Sequence, residues 1–545
     1  MASVTSSIKA ARKEVIINDY KSAEAKNKLL YLEGDDTATS EYIYSNQIED
    51  GANIVKKFYN SDVRVISIQK LTKVGADGLM IEIAKGLTTH IDDDFAVNPA
   101  NVRFITGMSN AGWEKEMKDK VPNCFKDKIF HHGKLSKSEL ANLKDSLIII
   151  DEIDTANGEG QVLHRILKEA GLLNIDHMKN NNNRFVFISA TIIKELYDLY
   201  SWGTLHESYN MTIPKSYIGH KKFLELGIIK EFYPLDTDKN IDKWIKEDIL
   251  DYYGNDYRVH IVRLNAKTKN IDIVQNGCIR KGVAFKNNTS ENPLTKDEIT
   301  ELFIKPLTKH IVMCVKGFFR RASLIPNRWK LRIGATHELY TKEVNCNVQI
   351  QGLPGRMTGY WKDEIVVKGH KIGPYRTSVR AVEQYINIYN NPFGDNSYQC
   401  AGFKKKNGKV IAKASMLSAK NIDNLSAVKL PDLNEEVFER GYKIFKTQKE
   451  NEIYAKEFGA KRESVYNVTD DGFKICTTTS HPRIHSLEEI IKIANSPTLG
   501  SNLDKGIAEL KIGEYAYRKY VCYELINDNT TECYVTSWIK RLKHN

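Results

Sequence analysis

The sequence predicts an α/β protein built from two parallel-sheet units in tandem, followed by a mixed α/β unit. Three observations carry this reading. From about residue 45 to 205, short apolar runs alternate with segments of helical periodicity. A second alternating region opens near residue 257. The apolar run Leu147-Ile148-Ile149-Ile150 leads straight into Asp151-Glu152, a polar pair set at the end of a buried strand. Alternation of this kind lays strands side by side in a parallel sheet with helices on both faces.

Residues 1–40 are polar, with Lys9, Arg12, Lys13 and then Glu33-Gly34-Asp35-Asp36. They read as a mobile N-terminal arm. In the first domain, residues 41–210, strands are expected at Val63–Ile68, Val102–Thr106, Lys128–His132, Leu147–Ile150 and Phe185–Ile188. A helix is expected at Gly78–Leu87. Between the last two strands Val162, Leu163, Ile166, Leu167 and Ala170 recur at helical spacing. Residues 206–256 read as a connecting stretch rich in Lys, Asp and Tyr. The second domain, residues 211–400, has strand candidates at Tyr257–Leu264, His310–Val315, Leu331–Ala335 and Asn347–Gln351, and a helix at Thr377–Ile388. The lysine-rich run from Phe403 to Lys409 marks a boundary or a hairpin. In the third domain, residues 401–545, Ser486 and Glu489 fit a capping box ahead of a helix Leu487–Ala494. Tyr515–Leu525 and Cys533–Ile539 look like strands. The run Asn180–Asn183 reads as a solvated loop.

At 545 residues the chain has room for about three domains. Its 80 basic and 69 acidic residues leave a net charge of +11. That moderate excess is compatible with nucleic acid and equally with an ordinary basic enzyme. No two of the eight cysteines stand at C-x-x-C spacing, which argues against a structural zinc site and for free thiols in a reducing compartment. The N-terminus lacks an apolar signal core, and no apolar run approaches the roughly 20 residues that span a bilayer. The expectation is a soluble intracellular protein with no membrane partner.

Residues 64–80 have the frame of a phosphate-binding loop, a strand, a short polar turn and a helix. Where such a loop carries Gly-Lys-Thr, this chain has Gly75-Ala76-Asp77. The phosphate-gripping lysine and the magnesium-binding hydroxyl are both replaced. Downstream, Asp151 is placed to hold Mg²⁺ and Glu152 to polarise an attacking water. Ser189-Ala190-Thr191 follows the next apolar strand, where nucleotide state would be coupled to a nucleic-acid path.

These motifs resemble those of superfamily 2 helicases, and more narrowly those of helicase-like proteins of nucleocytoplasmic large DNA viruses, over roughly residues 40–390. Gln47 is similar to the adenine-reading glutamine ahead of motif I. Thr72, Gly75, Ala76, Asp77 and Gly78 stand in motif I. The segment Phe104–Trp113, including Thr106, resembles motif Ia. Asp151–Asp154 resembles motif II and Ser189–Thr191 motif III. Val315–Arg321, with Arg320 and Arg321, resembles motif IV. Ile333–Glu338, with Thr336, falls at motif V, and Gln351–Tyr360, with Arg356, resembles motif VI. The resemblance implies two tandem RecA-like domains, DNA or RNA as partner, and ATP with Mg²⁺ as cofactors if the site is still competent. It places catalysis on Asp151, Glu152 and Arg356, the metal on Asp151, and nucleic-acid contacts on Thr106, Arg320, Arg321 and Thr336. It also implies action in the host cytoplasm or virus factory, or packaging in the virion, beside viral transcription, replication or virion proteins.

The departures fall on the phosphates. Besides Ala76 and Asp77, Gly359 stands where motif VI would carry a second arginine. Losing one transition-state contact costs about 2.7–4 kcal/mol, or roughly 10²–10³ in rate. Lys70 and Lys73, both in the loop, could substitute. Basic clusters at Arg320, Arg321, Arg328, Trp329, Lys330, Arg332 and at Lys404, Lys405, Lys406, Lys409 are candidate phosphate contacts or solvated faces. Tyr360 and Trp361 fit either an interdomain cleft or a core. His131 and His132 read as core or loop residues. Three functions follow: a helicase-like nucleic-acid binder with lost or weakened hydrolysis, an active ATPase or helicase with an unusual loop, or a protein-binding scaffold.

Overall fold

The computed structural model describes residues 2–32, 43–89, 96–109, 111–155, 158–264, 268–289, 291–316, 325–392, 402–406, 409–430, 438–476, 484–495, 510–511, 513–526 and 529–541. The chain forms two compact units. One comprises Met1–Pro392, Gln399–Phe403 and Ala412–Leu430; the other comprises Phe393–Tyr398, Lys404–Ile411 and Pro431–Asn545.

The first unit holds two six-stranded sheets. Strands β1 (Val65–Gln69), β2 (Val102–Thr106), β3 (Ile129–His131), β4 (Leu147–Asp151), β5 (Arg184–Ser189) and β6 (His206–Asn210) lie in the order β3-β2-β4-β5-β1-β6. Every pairing is parallel. β1, β2, β4 and β5 are buried along their whole length, as strands covered on both faces must be. Gln69 lies opposite Ser189, and Thr106 opposite Asp151, so the C-terminal ends of β1, β2, β4 and β5 line up. That edge of an open parallel sheet is where ligands bind.

The second sheet contains β7 (Ile229–Glu231), β8 (Val259–Arg263), β9 (Ala284–Thr289), β10 (Ile311–Lys316), β11 (Ile333–His337) and β12 (Tyr375–Thr377), in the order β7-β12-β11-β8-β10-β9. These pairings are also parallel. The two sheets and their covering helices are tandem RecA-like lobes, each with its own core, one around Ile66, Phe104 and Ile149 and the other around Ile261, Met313 and Tyr375.

Strands β13 (Phe403–Lys406) and β14 (Lys409–Ala412) pair in a two-stranded sheet, so the lysine-rich run supplies paired strands. In the second unit β15 (Phe438–Phe445), β18 (Tyr515–Ile526) and β19 (Asn529–Arg541) form an antiparallel sheet in the order β15-β19-β18. A small pair, β16 (Tyr466–Val468) and β17 (Lys474–Cys476), and helices Gln448–Lys456 and Leu487–Ala494 complete it. The Ser486 hydroxyl accepts from Glu489 N–H, the cap expected for the latter helix.

Four expectations are corrected. Ala2–Leu32 is a helix rather than a mobile arm. Its polar composition hides two anchors one turn apart, Ile16 and Tyr20, which join the core of the first lobe. Asn347–Gln351 is not a strand: Cys346–Ile350 is helical. The apparent alternation of Val-Gln-Ile is overridden by Asn345, whose side chain caps the Asn347 and Val348 N–H groups. The stretch 206–256 is more than a connection, since it supplies β6 and β7 to the edges of the two sheets; edge strands are short and polar enough to escape a hydrophobicity reading. Finally, Ala412–Leu430 returns to the first unit. Ser415 donates to Asp198, and Trp202 Nε1 donates to the Leu417 carbonyl at 2.9 Å. Nothing in its composition marks this return.

Candidate nucleotide cleft

The loop between β1 and the helix Ala76–Thr89 contains two left-handed residues, Lys73 (φ 56°) and Gly75 (φ 91°). Gly75 and Gly78 also let the Gln47 side chain approach the loop closely. The Gln47 side chain lies so close that an added Cβ would stand 2.4 Å from its Nε2 at Gly75 and 2.1 Å from its Oε1 at Gly78. Gln47 Nε2 donates to the Gly75 carbonyl at 2.6 Å, while its Oε1 accepts from Tyr44 N–H at 2.9 Å. The glutamine is therefore stapled to the loop.

The acidic box is occupied from within. Lys70 Nζ lies 3.4 Å from Asp151 Oδ1 and 3.3 Å from Glu152 Oε1, with all three residues buried. Burial pushes the Asp151 carboxyl up, and Lys70 opposes that shift. Burial also works against the Lys70 ammonium, but the two carboxylates outweigh it and hold its proton firmly. Glu152 adopts a left-handed backbone (φ 53°). Asp77, the first-turn carboxylate of the loop helix, does not face phosphates alone: it pairs with Lys120 at the end of the helix Ala111–Lys120. Burial would raise Asp77, yet Lys120 dominates and pulls it down to about 2. Glu116, on the same helix as Lys120, is pushed up by burial against the pull of Lys120, Lys73 and Arg356. The cleft is thus a mutually compensating set: Lys70, Lys73, Lys120 and Arg356 against Asp77, Glu116, Asp151 and Glu152.

The second lobe closes directly onto the loop. Thr358 Oγ1 donates to the Thr72 carbonyl at 2.8 Å and lies 2.9 Å from the Thr72 hydroxyl. Tyr360 OH donates to the Val74 carbonyl at 2.7 Å, and Tyr217 OH to the Thr72 carbonyl at 2.6 Å. The Tyr360 ring stacks on Tyr44, centroids 4.3 Å apart and planes 12° apart. At about 0.5–1.5 kcal/mol for each hydrogen bond and a similar amount for the stack, these contacts hold the lobes together by a few kcal/mol. Trp361, by contrast, is buried and donates to the Met357 carbonyl. Arg356 is buried, with Nη2 donating to Gln351 Oε1 at 3.2 Å. At Gly359 (φ 141°) a Cβ would stand 2.9 Å from Lys330 Nζ.

The acidic box and the Ser189–Thr191 segment meet at Asp154. Ser189 Oγ donates to Asp154 Oδ1 at 2.6 Å and Thr191 Oγ1 to Asp154 Oδ2 at 2.7 Å, with Ala190 buried between them. A change at the acidic box would therefore reach the end of β5 through Asp154.

Among the residues assigned to nucleic acid, Thr106 and Thr336 are wholly buried in β2 and β11, so their side chains offer nothing to a ligand in this conformation. Arg320 and Arg321 lie outside the described residues. Lys330 is buried, donating to the Thr358 carbonyl at 2.8 Å; burial, then Arg356, pushes its pKa down to about 7. Trp329 stacks on Phe303, centroids 4.7 Å apart. That part of the arginine-rich cluster is interior packing rather than a phosphate surface. The residues that sequence reasoning missed are Lys120, Glu116, Thr358 and Tyr217. Thr358 stands within the Gln351–Tyr360 segment without having been singled out, and no local pattern names the other three, because each acts by meeting residues distant in sequence.

The geometry does not fit a magnesium nucleotide as it stands. The oxygens that would face the metal are held by Lys70, and the helix N-terminus that would receive a phosphate carries Asp77. Among the described residues no group of three or more His, Cys, Asp or Glu side chains is placed to hold a metal.

No family model and no curated protein matches this chain. Among solved structures, S. cerevisiae Dbp5 bound to RNA and ADP BeF3 is similar at 10% identity, covering 65% of this chain and 92% of that one, with a TM-score of 0.36. The DEAD-box helicase Mss116 bound to ssRNA and UDP-BeF matches at 13% identity over 62% and 70% of the two chains, with a TM-score of 0.29. The Sulfolobus solfataricus SWI2/SNF2 ATPase core in complex with dsDNA matches at 11% identity over 66% and 94%, with a TM-score of 0.25. Likenesses at this level carry no weight for function; the residues of the cleft do.

Proposed function

We propose that the chain is a helicase-type nucleic-acid-binding protein of a large DNA virus in which ATP hydrolysis is lost or weakened, and that it serves as a structural or regulatory subunit. The observation that carries this is the placement of Lys70 between Asp151 and Glu152, where a nucleotide-bound metal would lie. Asp77 and its partner Lys120 take the phosphate end of the loop, and Thr358 and Tyr360 bind its carbonyls. The lobes meet through protein contacts, so closure does not wait for a nucleotide. Residues 41–210 and 211–400 are taken as the two lobes that would clasp a strand, with Gln47 and Arg356 retained at the nucleotide end.

A second reading has support in the same lysine. Lys70 sits on the loop and could swing to a phosphate, which would make the protein an active ATPase with an unusual grip. Steady-state ATP hydrolysis with and without single-stranded and duplex DNA or RNA separates the two. Ordinary enzymes turn over at about 1–10³ per second. Rates at least 10²-fold below that range, unaffected by nucleic acid, are expected; turnover within it would overturn the proposal. Nucleic-acid binding is tested by its salt dependence, because displaced counterions make affinity fall steeply as salt rises. No DNA or RNA binding at low salt would leave a protein-binding scaffold.

A further inference from the structure

The second unit carries two cysteines that neither the cleft nor the lobes use. Strands β18 and β19 pair without interruption from Tyr515 opposite Lys540 to Ile526 opposite Asn529, and Cys522 stands directly opposite Cys533 in that ladder. Among the described residues no other two cysteines are register partners. Opposed residues of an antiparallel pair project from the same face of the sheet. That face packs against the helix Leu487–Ala494, and the two cysteines share one apolar cluster with Ile490, Tyr520 and Val535. Both are thiols in this structure; Cys522 is fully buried and Cys533 is 5% exposed.

Strand geometry brings the two side chains into bonding range. Opposed Cα atoms of an antiparallel ladder lie about 4.5 or 5.5 Å apart, and their Cβ atoms about 4.5–5.5 Å apart. A disulfide takes a Cα separation of about 4.4–6.8 Å and a Cβ separation of about 3.5–4.5 Å. The backbone spacing already fits, and the Cβ atoms need to close by about 1 Å or less. The surroundings make the pair slow to react rather than inert. Burial, then Glu524 on β18 and Glu532 on β19, push the Cys533 thiol up, and Lys446 pulls the other way. The covering helix presents Leu487, Ile490 and Ile493, none of which titrates. Cys533 is the more accessible sulfur, two residues from the exposed Thr531.

We propose that Cys522 and Cys533 form a reversible dithiol–disulfide pair, oxidised by a small-molecule disulfide such as glutathione disulfide. The Cys533 thiolate attacks one sulfur of that disulfide; its S–S bond breaks and one glutathione leaves as thiolate. The Cys522 thiolate then attacks Cys533 Sγ in the mixed disulfide, the protein S–S bond forms, and the second glutathione leaves. The two cysteine protons end on the two leaving thiolates. Two cysteine thiols are oxidised, and one glutathione disulfide is reduced to two thiols. The new bond ties β18 to β19 beneath the helix Leu487–Ala494 and so resists opening of this hairpin. The proposal rests on neither the nucleotide nor the nucleic-acid reading.

The test uses the full chain. It is equilibrated overnight with mixtures of reduced and oxidised glutathione, quenched with acid and alkylated, and its cysteines are mapped by mass spectrometry. A linked pair of peptides carrying Cys522 and Cys533 is expected, lost again on adding dithiothreitol. Because the thiolate attacks, the link should form about tenfold faster at pH 8 than at pH 7. Amide exchange across β18 and β19 should slow by about tenfold or more in the oxidised chain. Cys522→Ser should trap glutathione on Cys533, whereas Cys533→Ser should leave Cys522 unmodified, with circular dichroism checking that each variant folds. The reverse pattern overturns Cys533 as the first nucleophile. The map of the parent chain decides the pair itself, whether or not the variants fold. Both thiols still reduced after equilibration, glutathione persisting on either cysteine, or a disulfide to another cysteine in place of this pair overturns the proposal.

Discussion

Replacing Lys70 with methionine removes the cation from the acidic box while keeping most of its volume. Lys70, Asp151 and Glu152 are 7%, 4% and 5% exposed, so the two carboxylates left behind stay out of water. Removing one partner of a buried ion pair typically costs about 3–5 kcal/mol. Burial already pushes the Asp151 carboxyl up against the pull of Lys70. Without the lysine it rises further and takes a proton near neutral pH, which keeps the loss near about 3 kcal/mol. At about 2–4 °C per kcal/mol, the melting temperature should drop by roughly 6–12 °C. The sign of the pH dependence follows. A carboxyl whose folded pKa lies above its unfolded value stabilises the fold at low pH and loses that contribution as pH rises through the folded pKa. The deficit of Lys70→Met should therefore shrink toward pH 5 and grow toward pH 8. The vacated oxygens also become available to a divalent cation. Binding at 100 times its Kd would return about 2.7 kcal/mol. Calorimetric melting with and without Mg²⁺ reads both effects. The reasoning is refuted if the variant melts within about 1 kcal/mol of the parent, or if Mg²⁺ stabilises the parent as strongly as the variant.

Restoring the loop by Ala76→Lys with Asp77→Thr should leave hydrolysis at background while Lys70 holds the acidic box; stimulated turnover should rise only when Lys70→Ala is added, as a coupled phosphate-release assay would show. Tyr360→Phe deletes the hydrogen bond to the Val74 carbonyl but keeps the stack on Tyr44, for a loss of about 0.5–1.5 kcal/mol; Tyr360→Ala removes both, and inter-lobe fluorescence transfer should report opening. His220 is buried, and burial, then Arg356, pushes its pKa down to about 3. Its protonation in the unfolded chain near pH 6.5 makes the fold lose stability below that pH. Between pH 7.5 and 5 the parent should fall behind His220→Phe by about 2 kcal/mol in denaturant titrations. Asp154→Asn weakens the link to Ser189 and Thr191 by about 1–3 kcal/mol, which should appear as faster amide exchange at the end of β5 with the first-lobe core unchanged.

Strands with uniform apolar character were legible from sequence because burial on both faces leaves an unbroken run. Leu147–Ile150 and Phe185–Ile188 stand within a residue of β4 and β5. The placing of the acidic box and of Ser189-Ala190-Thr191 after successive apolar strands was legible too, though their meeting at Asp154 was not. Short polar strands at sheet edges were not, because half-exposed backbone pairing leaves little hydrophobic trace. Nor was the helix Cys346–Ile350, where one capping side chain decides against an alternating pattern.

The sequence by itself determined the two alternating α/β regions, the replacement of the loop lysine and hydroxyl by Ala76 and Asp77, and the survival of the acidic box. Those are matters of local residue type and of a period along one chain. Only the tertiary structure decided where the compensating charges lie: Lys70 on Asp151 and Glu152, Lys120 on Asp77, and Thr358 and Tyr360 on the carbonyls of the loop. Electrostatic compensation depends on distance in space, and the partners of Asp77 and Thr72 stand 43 and 286 residues away along the chain.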